Sequence, residues 1–409
     1  MIILIAFAVV FIYVALLYVA PGPEKNVITT SPAGGRPKVL RNVSLGVLIF
    51  VLLDGVIFHS GLYERVLKPR SNAGRVAALL HQEKQRRPTG GKEILVLGDS
   101  RMGTGFSEEV ANAIAAGSKV TFFNRSMPES LPRLWYYLLR EVDPSASRYQ
   151  AIVMPLKFDL DPAPLHTAPV HISQTAPLLH YTDAFAFAAS FDGWKEQSRA
   201  FMACLLRGLA YQPDVLDLVE HPLQRINHLR QRPRAFSAGA LRKRTKRDVV
   251  GLEYDPVTQQ LIIPERLSKR QRNSIQNSIQ QAQQLAVEGA NCTSNCYDWT
   301  TRILQRYDSS ETSVVLVQLP KGPLGANLED VRTAQDTAAE AFHGHKVIVF
   351  DRDKFAFLEH PAYYMDGSHL NGNGQEQFTR RLTEDLLAQF DNGQTDELAA
   401  PAEGPAPER

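Results

Sequence analysis

The sequence predicts an α/β fold in which helices cover a parallel sheet of five strands. Five short apolar runs are typical of strands that are buried on both faces of a sheet. Helical patterns separate most of these runs, and strands that alternate with helices along a chain usually form a parallel sheet. The predicted strands are residues 93–97, 119–123, 151–155, 313–318 and 346–350.

An apolar segment near the N-terminus, residues 2–20, is long enough to cross a lipid bilayer. It lacks a preceding Lys or Arg and a good cleavage site, which favours a retained anchor over a removed signal peptide. A second apolar stretch, residues 44–63, contains Asp54 and His59. Because a carboxylate near the bilayer centre is costly, this stretch is either a second span with Asp54 facing protein or water, or a buried or interfacial helix.

These segments define the predicted domain organisation. Residues 1–65 form a membrane anchor of one or two transmembrane helices, and the basic, polar residues 66–91 form a linker. The main domain covers residues 92–390. It includes a helical insertion at about 175–305, because the gap after the third strand is far longer than one crossover needs. The tail, residues 391–409, is low in apolar residues and is expected to be disordered.

Helical patterns are found both between the strands and inside the predicted insertion. Residues 108–116 and 330–341 are predicted helices of the main domain, and residues 267–288 are predicted to form an amphipathic helix within the insertion. The strongly basic run at residues 230–247 fits contact with acidic lipid headgroups or with an anionic polymer. It fits a solvated loop as well.

The composition argues against several classes of function. The formal net charge is +2 over 409 residues, so no overall field indicates nucleic acid or an acidic partner. Cys292 and Cys296 form either a small disulfide loop or two free thiols, and no further zinc ligands lie beside them at suitable spacing. No glycine-rich phosphate-binding loop is present, and the sequence predicts neither a cofactor nor a metal.

The first candidate functional motif follows the first predicted strand, which leads directly into Gly98-Asp99-Ser100. Ligands of open parallel sheets bind beyond the carboxyl ends of the strands, and Ser100 lies there. Gly98 leaves the backbone room to turn, and the following helix N-terminus offers N–H groups to a developing oxyanion. The motif predicts a nucleophile at Ser100, although by itself it also fits a helix-capping or turn serine.

The second motif, Asp366-Gly367-Ser368-His369, follows the fifth predicted strand. A serine hydroxyl becomes a good nucleophile only when a base takes its proton. An Asp three residues before a His can orient the imidazole through one ring nitrogen and leave the other to accept that proton. By itself the motif also fits a polar turn. Combined with Ser100 at the other strand end, it predicts a catalytic triad of Ser100, His369 and Asp366.

The segments around these two motifs, ILVLGDSRM and YMDGSHLNGNGQEQF, resemble the first and last conserved blocks of the SGNH, or GDSL-type, hydrolases. The resemblance covers residues 92 to about 390, with specific motifs only at its two ends. It implies a flavodoxin-like three-layer sandwich, with Ser100 as nucleophile, His369 as base and Asp366 as its partner. It also implies a serine-ester mechanism, in which an acyl-enzyme is released to water or to another hydroxyl.

The middle blocks depart from the family pattern. Where the second block usually has an oxyanion glycine, residues 124–126 are Asn, Arg and Ser, so the backbone N–H of Ser126 is the expected donor. The asparagine of the third block has no counterpart in residues 154–159, MPLKFD. Losing one oxyanion donor costs about 2.7–4 kcal/mol in catalysis. Either another group such as Lys157 substitutes, or hydrolysis is slow or absent.

These departures and the N-terminal apolar segments resemble a membrane-anchored branch that modifies cell-envelope polymers. Examples are the alginate O-acetylation accessory proteins and the D-alanyl-lipoteichoic acid transfer protein. The resemblance implies an extracytoplasmic main domain at the cell membrane, beside a membrane-bound O-acyltransferase. The leading hypothesis is an esterase or acyltransferase acting on O-acyl groups of a cell-envelope polysaccharide or glycolipid. The alternatives are a plain esterase or lipase, and a non-catalytic scaffold that binds a glycan or the acyltransferase, which the missing asparagine favours.

Overall fold

The computed structural model describes most of the chain between residues 46 and 392. The described residues are 46–156, 168–230, 250–255, 261–290, 297–320, 322–323, 342, 344–350 and 352–392. The chain divides into two compact units. The helical unit comprises Met1–Gln85 and Ala163–Ala240, and the sheet unit comprises Arg86–Pro162 and Leu241–Arg409.

Helices and strands are numbered here in chain order. The described helices are α1 (residues 46–54), α2 (Asn72–Gln85), α3 (Ser100–Gly105), α4 (Glu108–Ile114), α5 (Pro132–Val142), α6 (Ala168–Thr175), α7 (Ala184–Ala189), α8 (Trp194–Leu205), α9 (Arg207–Ala210), α10 (Gln212–Glu220), α11 (Pro222–Arg230), α12 (Lys269–Ala290), α13 (Asp298–Tyr307) and α14 (Gly372–Asn392). The described strands are β1 (Lys92–Val96), β2 (Val120–Asn124), β3 (Ala151–Pro155), β4 (Glu253–Tyr254), β5 (Leu261–Ile262), β6 (Ser313–Val317) and β7 (Val347–Val349).

The sheet unit is built around a five-stranded sheet in the order β2-β1-β3-β6-β7. All neighbouring strands are parallel, and Ile94 of β1 lies opposite Phe122 of β2 and Ala151 of β3. This is a doubly wound order, in which the direction of strand addition reverses beside β1. The predicted α/β fold with five parallel strands is confirmed, and every observed strand boundary lies within one residue of the predicted one.

Both faces of this sheet are buried, which explains why its strands are continuous apolar runs in the sequence. On one face, Val96, Val153 and Val315 are fully buried and belong to one core cluster with Phe378 and Leu382 of α14. The buried side chains of the other face include Leu95, Ile152, Met154 and Leu316. Each fully buried side chain of this size contributes about 1.5–3 kcal/mol relative to its exposed state. Helix α13 contacts both β6 and α5.

The helical predictions inside the sheet unit have a mixed outcome. The helix predicted at 108–116 is confirmed as α4, which continues as a 3₁₀ turn over Ala115–Gly117, and the amphipathic helix is confirmed as α12. Residues 330–341 and 393–409 lie outside the described residues. Strands β4 and β5 form a short antiparallel pair that the sequence did not predict.

The helical unit contains α1, α2 and α6 to α11, together with a buried ionic network. Arg225 donates hydrogen bonds to Asp214 at 2.8 Å, to Asp217 at 2.6 Å and to the carbonyl of Val66 at 3.0 Å. The hydroxyl of Tyr63 also donates to Asp214, at 2.9 Å. A buried charge is tolerated only when it is paired in this way. The network therefore ties the chain just after the second apolar stretch to α10 and α11.

The second apolar stretch, residues 44–63, differs from the predicted second membrane span. Helix α1 ends at Asp54 and is followed by a π-helical turn, Gly55–His59. Asp54 is fully buried, and its carboxylate accepts hydrogen bonds from the backbone N–H groups of Arg207 and Gly208, both at 2.9 Å. From Asp54 onward the stretch is packed within the helical unit, because the carboxylate finds its partners at the first turn of α9.

No helix in the described part of the chain is both long and apolar enough to cross a membrane. The first apolar segment, residues 2–20, lies outside that part. Residues 66–91, expected to be a linker, contain α2, whose Val76 and Leu80 are buried. The expected insertion at 175–305 is not one body, since the chain up to Ala240 belongs to the helical unit and the rest to the sheet unit. Helix α6 contacts α2, so the first part of the insertion packs on the segment expected to be a linker.

Candidate active site

Ser100 is the first residue of α3, at the carboxyl edge of the parallel sheet. Strand β1 ends at Val96, and Asp99 is the N-cap of the helix. The carboxylate of Asp99 accepts a hydrogen bond from the backbone N–H of Arg101 at 2.9 Å. It also forms an ion pair with the guanidinium of Arg101 at 3.2 Å. An Asp at this position satisfies an N–H group that the helix itself cannot pair. The cap therefore fixes the turn that carries Ser100.

Gly98 lets the strand pass into this helix because no side chain fits at its position. A Cβ there would lie 2.4 Å from the Cβ of Met102, well inside van der Waals contact. The carbonyl of Gly98 accepts hydrogen bonds from the N–H of Met127 and from the hydroxyl of Ser130, both at 2.8 Å. These contacts bring the segment that follows β2 against the Ser100 turn.

The second motif is a short closed loop. Tyr364 and Leu370 form an isolated antiparallel bridge, and the N–H of Met365 donates to the carbonyl of His369 at 3.0 Å. Asp366 and His369 therefore lie at the two ends of a turn that the bridge holds together. This arrangement explains why only two residues separate Asp366 and His369 in the sequence.

Asn371 connects this loop to α14 and is fully buried. Its amide nitrogen donates to the carbonyls of Ala362 at 2.7 Å and Tyr364 at 3.3 Å. Its amide oxygen accepts from the N–H groups of Asn373 at 3.0 Å and Gly374 at 3.1 Å, which belong to the first turn of α14. One buried side chain thus satisfies both the helix N-terminus and the loop.

The three predicted residues lie in one hydrogen-bonded series. The hydroxyl oxygen of Ser100 is 2.8 Å from Nε2 of His369, and Nδ1 of His369 is 2.9 Å from Oδ2 of Asp366. With its Nδ1 proton donated to the carboxylate, the ring presents Nε2 as an acceptor for the hydroxyl proton of Ser100. The side chains of His369 and Asp366 are 25% and 20% exposed, so solvent and a substrate can reach the series.

The carboxyl of Asp366 is held in its charged form. Burial raises its pKa, but hydrogen bonds from the His369 ring and from the backbone N–H groups of Ser368 and His369 outweigh this effect. The pKa of Asp366 therefore lies below its ordinary value. A carboxylate that stays ionised can stabilise the imidazolium that forms when His369 takes a proton.

Hydroxyl, imidazole and carboxylate in this order and at these distances have the geometry of a nucleophile with its general base.

A scan against models of protein families finds no match for the chain, and a search of curated proteins also finds none. Within the described ranges, no three His, Cys, Asp or Glu side chains are grouped as a metal site requires. The candidate site is therefore defined by the geometry of these side chains and by the two motifs.

The expected oxyanion donor, the backbone N–H of Ser126, has another partner. It donates to the side-chain oxygen of Asn124 at 3.0 Å, and the amide nitrogen of Asn124 donates to the carbonyl of Phe106 at 2.7 Å. This corrects the prediction, because an N–H that is already paired is not directed at the oxygen of a substrate. The other expected substitute, Lys157, lies outside the described residues.

The first turn of α3 offers other candidate donors. The first N–H groups of a helix have no acceptor within the helix. That of Arg101 is taken by Asp99, and that of Gly103 by the carbonyl of Asp99. The N–H groups of Ser100 and Met102 remain as candidate oxyanion donors, and the helix dipole favours negative charge at this position.

Sequence reasoning missed the residues that hold the two motifs against each other. On α14, the side-chain nitrogen of Gln375 donates to the carbonyl of Thr104 at 2.5 Å, and the hydroxyl of Thr379 accepts from the N–H of Ser107 at 2.9 Å. Gln375 and Thr379 are buried one helical turn apart. Polar residues at this spacing on an otherwise apolar helix face are the signal that could have indicated them.

A third support comes from α12. The hydroxyl of Ser278 accepts a hydrogen bond from the N–H of Gly367 at 2.8 Å and donates to the carbonyl of Ile275 at 2.8 Å. A Cβ on Gly367 would lie 2.6 Å from the backbone nitrogen of Ile279, so the loop and the helix are in direct backbone contact. No local sequence pattern links Ser278 to a loop so far along the chain.

Proposed function

We propose that the protein is a membrane-anchored SGNH-type serine esterase or acyltransferase that acts on O-acyl groups of a cell-envelope polysaccharide or glycolipid. The observation that carries the proposal is the hydrogen-bonded series from Ser100 through His369 to Asp366 at the carboxyl edge of the sheet. Strand order and buried side chains on both sheet faces support the flavodoxin-like three-layer arrangement that the resemblance implies.

The proposed reaction follows from the geometry. The hydroxyl oxygen of Ser100 attacks the acyl carbonyl carbon while Nε2 of His369 takes the hydroxyl proton. N–H groups at the start of α3 stabilise the negative oxygen of the tetrahedral intermediate. His369 then gives this proton to the leaving oxygen as the bond between that oxygen and the acyl carbon breaks. The alcohol departs, and the acyl group stays on the oxygen of Ser100. In the second half-reaction, His369 takes a proton from water or from an acceptor hydroxyl as that oxygen attacks the acyl group. It then gives the proton to the oxygen of Ser100 as its bond to the acyl carbon breaks, which releases the acid or the new ester.

The cellular setting is also part of the proposal. Residues 2–20 have the length and composition of a membrane anchor. The main domain is proposed to be extracytoplasmic, with an acylated glycan or lipid-linked substrate and a membrane-bound O-acyltransferase as partner. These assignments follow from the resemblance to the membrane-anchored branch of the family.

The second candidate is a non-catalytic scaffold that binds a glycan or the acyltransferase. Two observations favour it: residues 154–159 lack the asparagine of the third block, and the N–H of Ser126 is paired with Asn124. A plain esterase or lipase would use the same triad with a different substrate.

Covalent labelling separates the enzyme from the scaffold. The full chain in detergent micelles is incubated with a fluorophosphonate probe, beside Ser100→Ala, His369→Ala and the control Ser145→Ala, which removes an exposed hydroxyl of the sheet unit. If the protein is an enzyme, the probe labels the wild type and the control variant, and it labels neither Ser100→Ala nor His369→Ala. A folded wild type that labels no faster than Ser100→Ala would exclude the enzyme and support the scaffold.

A further inference from the structure

The helical unit carries most of the exposed apolar side chains of the described residues. Nineteen large apolar side chains are exposed in the described part of the chain, and sixteen of them belong to the helical unit. This unit nevertheless contains fewer of the described residues than the sheet unit. Large exposed apolar patches on soluble monomers are rare and usually mark an interaction site. The sixteen are Val47, Leu48, Ile49, Val51, Leu52, Val56, Leu62, Tyr181, Phe185, Trp194, Met202, Leu205, Leu209, Leu216, Val219 and Leu223.

Helix α8 carries several of these exposed apolar side chains on its outward face. Trp194, Met202 and Leu205 are exposed and lie on one side of the helix, with Trp194 80% exposed. Ala200 and Cys204, on the side that faces the unit, are buried. The outward face also carries Lys195, Ser198 and Arg199, so it combines apolar with basic and polar side chains, as helices that lie in a membrane interface do.

Contacts between elements connect this face across the unit. The rings of Phe185 on α7 and Phe201 on α8 lie 5.1 Å apart, and the ring of Tyr181 stacks on His59 at 4.3 Å. Helix α9, which carries Leu209, contacts α8, α10 and the turn at Gly55–His59. The exposed apolar side chains therefore lie on a connected series of elements.

The chemistry of the surface and of the chain around it indicates a lipid bilayer as its partner. Trp and Tyr are enriched where proteins meet the membrane–water interface. The anchor candidate, residues 2–20, is joined through residues 21–45 to α1, where the exposed apolar side chains begin. The basic run at residues 230–247 follows α11, and each Lys or Arg near an anionic membrane surface contributes about 1 kcal/mol of attraction.

We propose that the helical unit lies in the interface of a lipid bilayer, with its exposed apolar side chains inserted among the headgroups and the upper acyl chains. Interfacial helices of this kind bury their apolar face about 5–10 Å deep. The inference rests on the proposed membrane attachment and is independent of the chemistry of Ser100. The protein is thereby attached by a broad surface in addition to its anchor.

Trp194 is a native reporter for this contact. The chain has three tryptophans, and the other two, Trp135 and Trp299, are 1% and 5% exposed. The full chain is placed in nanodiscs of anionic and zwitterionic lipids, either unbrominated or brominated high on the acyl chains. The emission of Trp194 is isolated by subtracting that of Trp194→Phe. We expect brominated lipid to quench most of this emission, whereas the emission of Trp194→Phe is unchanged by bromination.

A second variant and an aqueous quencher complete the test. Leu209→Glu combined with Leu216→Glu keeps Trp194 and places charges on the same surface, and we expect it to reduce quenching by brominated lipid. The full chain could enter the nanodiscs while Trp194 is quenched by aqueous iodide and not by brominated lipid. That result would overturn this inference and leave the proposed anchor intact. If this surface instead binds a second copy of the chain, the same quenching result would be accompanied by dimers of the protein. Failure to enter nanodiscs overturns both this inference and the proposed anchor, while labelling of Ser100 is unaffected.

Discussion

Ser100 and His369 lie 269 residues apart in the chain, yet the hydroxyl oxygen of Ser100 is 2.8 Å from Nε2 of His369. Neither side chain has this position by itself. Asp99 caps the helix that begins at Ser100, and the bridge between Tyr364 and Leu370 closes the loop that carries His369. At the scale of single residues, the candidate site consists of two pre-formed turns whose side chains meet. Preorganisation of this kind is what lowers an activation barrier.

Asp366→Asn tests the orienting role of the carboxylate. An amide in its place donates as well as accepts, so the His369 ring can be held in the tautomer that cannot take the proton of Ser100. In the triad of chymotrypsin-like proteases the equivalent change lowers kcat by about 10⁴-fold. We expect a loss of that order in kcat for an aryl acetate ester. Asp298→Asn, at an exposed position of α13, is the control, and an equal loss there would contradict the prediction.

The lowered pKa of Asp366 predicts a pH dependence of stability. Because its folded-state pKa lies below the ordinary value of about 3.9, the ionised carboxylate stabilises the fold above that pH. This contribution is lost as the pH falls through the folded-state value. Urea unfolding of the wild type and Asp366→Asn should show a free-energy difference at neutral pH that narrows below about pH 4. A difference that is constant with pH would show that the carboxylate is not held by these hydrogen bonds.

At the scale of elements, α14 supports both halves of the site with buried hydroxyl and amide groups. Thr379 and Thr383 lie one turn apart and are both fully buried, but their hydroxyls differ. Thr379 accepts from the N–H of Ser107, whereas the hydroxyl of Thr383 has no hydrogen-bond partner among the described residues. An unpaired buried hydroxyl destabilises a fold, and removing it is neutral or favourable.

This contrast predicts opposite effects for one substitution at two positions. Thr379→Val leaves the N–H of Ser107 unpaired and should lower the free energy of unfolding by about 1–3 kcal/mol. Thr383→Val removes only an unpaired hydroxyl and should leave it unchanged or raise it by about 1 kcal/mol. Urea unfolding measures both. Equal destabilisation by the two variants would contradict the hydrogen-bond assignment.

Helix α12 is the other element that reaches the site. Ser278→Ala removes the acceptor of the Gly367 N–H, and we expect it to lower kcat for an aryl acetate ester about tenfold through a misplaced loop, which corresponds to about 1.4 kcal/mol. The matched control is Ser274→Ala, at an exposed position one turn earlier on the same helix. KM should change little in either variant. A loss of stability in Ser278→Ala without a change in kcat would mean that the contact only supports the fold.

At the scale of the whole molecule, the chain forms two units, and each has its own buried interior. In the helical unit this interior includes the ion pairs of Arg225, whose guanidinium links segments 159 residues apart in the sequence. In the sheet unit the interior is the two apolar faces of the parallel strands. Unfolding of such a chain is not expected to be a single two-state transition.

Arg225→Ala tests how much the buried network contributes. Removal of one partner from a buried ion pair leaves an unpaired charge and costs about 3–5 kcal/mol. We expect a loss of this size in the urea transition that reports the helical unit. Arg380→Ala removes a pair with Glu376 in which the two side chains are 49% and 59% exposed, and should cost less than about 1 kcal/mol. Similar effects of the two substitutions would exclude a special role for the network.

The parts that sequence analysis predicted are those encoded by neighbouring residues. The five strands are short continuous apolar runs, and α4 and α12 have helical periodicity, so local pattern was sufficient to place them. The two motifs were located because each follows a strand end. The predicted N–H donor at Ser126 was wrong, since the partner that pairs it, Asn124, can be identified only when its side-chain direction is known.

The domain boundaries show the same limit on a larger scale. Residues 44–63 have the composition of a membrane span, and only the contacts of Asp54 with Arg207 and Gly208 show that half of this stretch is packed in the helical unit. Helix α2 was mistaken for a linker because its buried residues are mostly small, with Val76 and Leu80 as the only larger apolar side chains among them. Both errors have one cause: the burial of a segment depends on partners that are distant in the chain.

By itself, the sequence determined the class of the fold, the strands of its sheet and the identity of three side chains able to form an acid–base series. Local periodicity and strand-end motifs need no knowledge of distant contacts. Only the tertiary structure decided that Ser100, His369 and Asp366 meet, which N–H groups remain open to an oxyanion, and which apolar side chains stay exposed. These properties depend on how segments far apart in the chain pack together, and packing is a property of the folded chain as a whole.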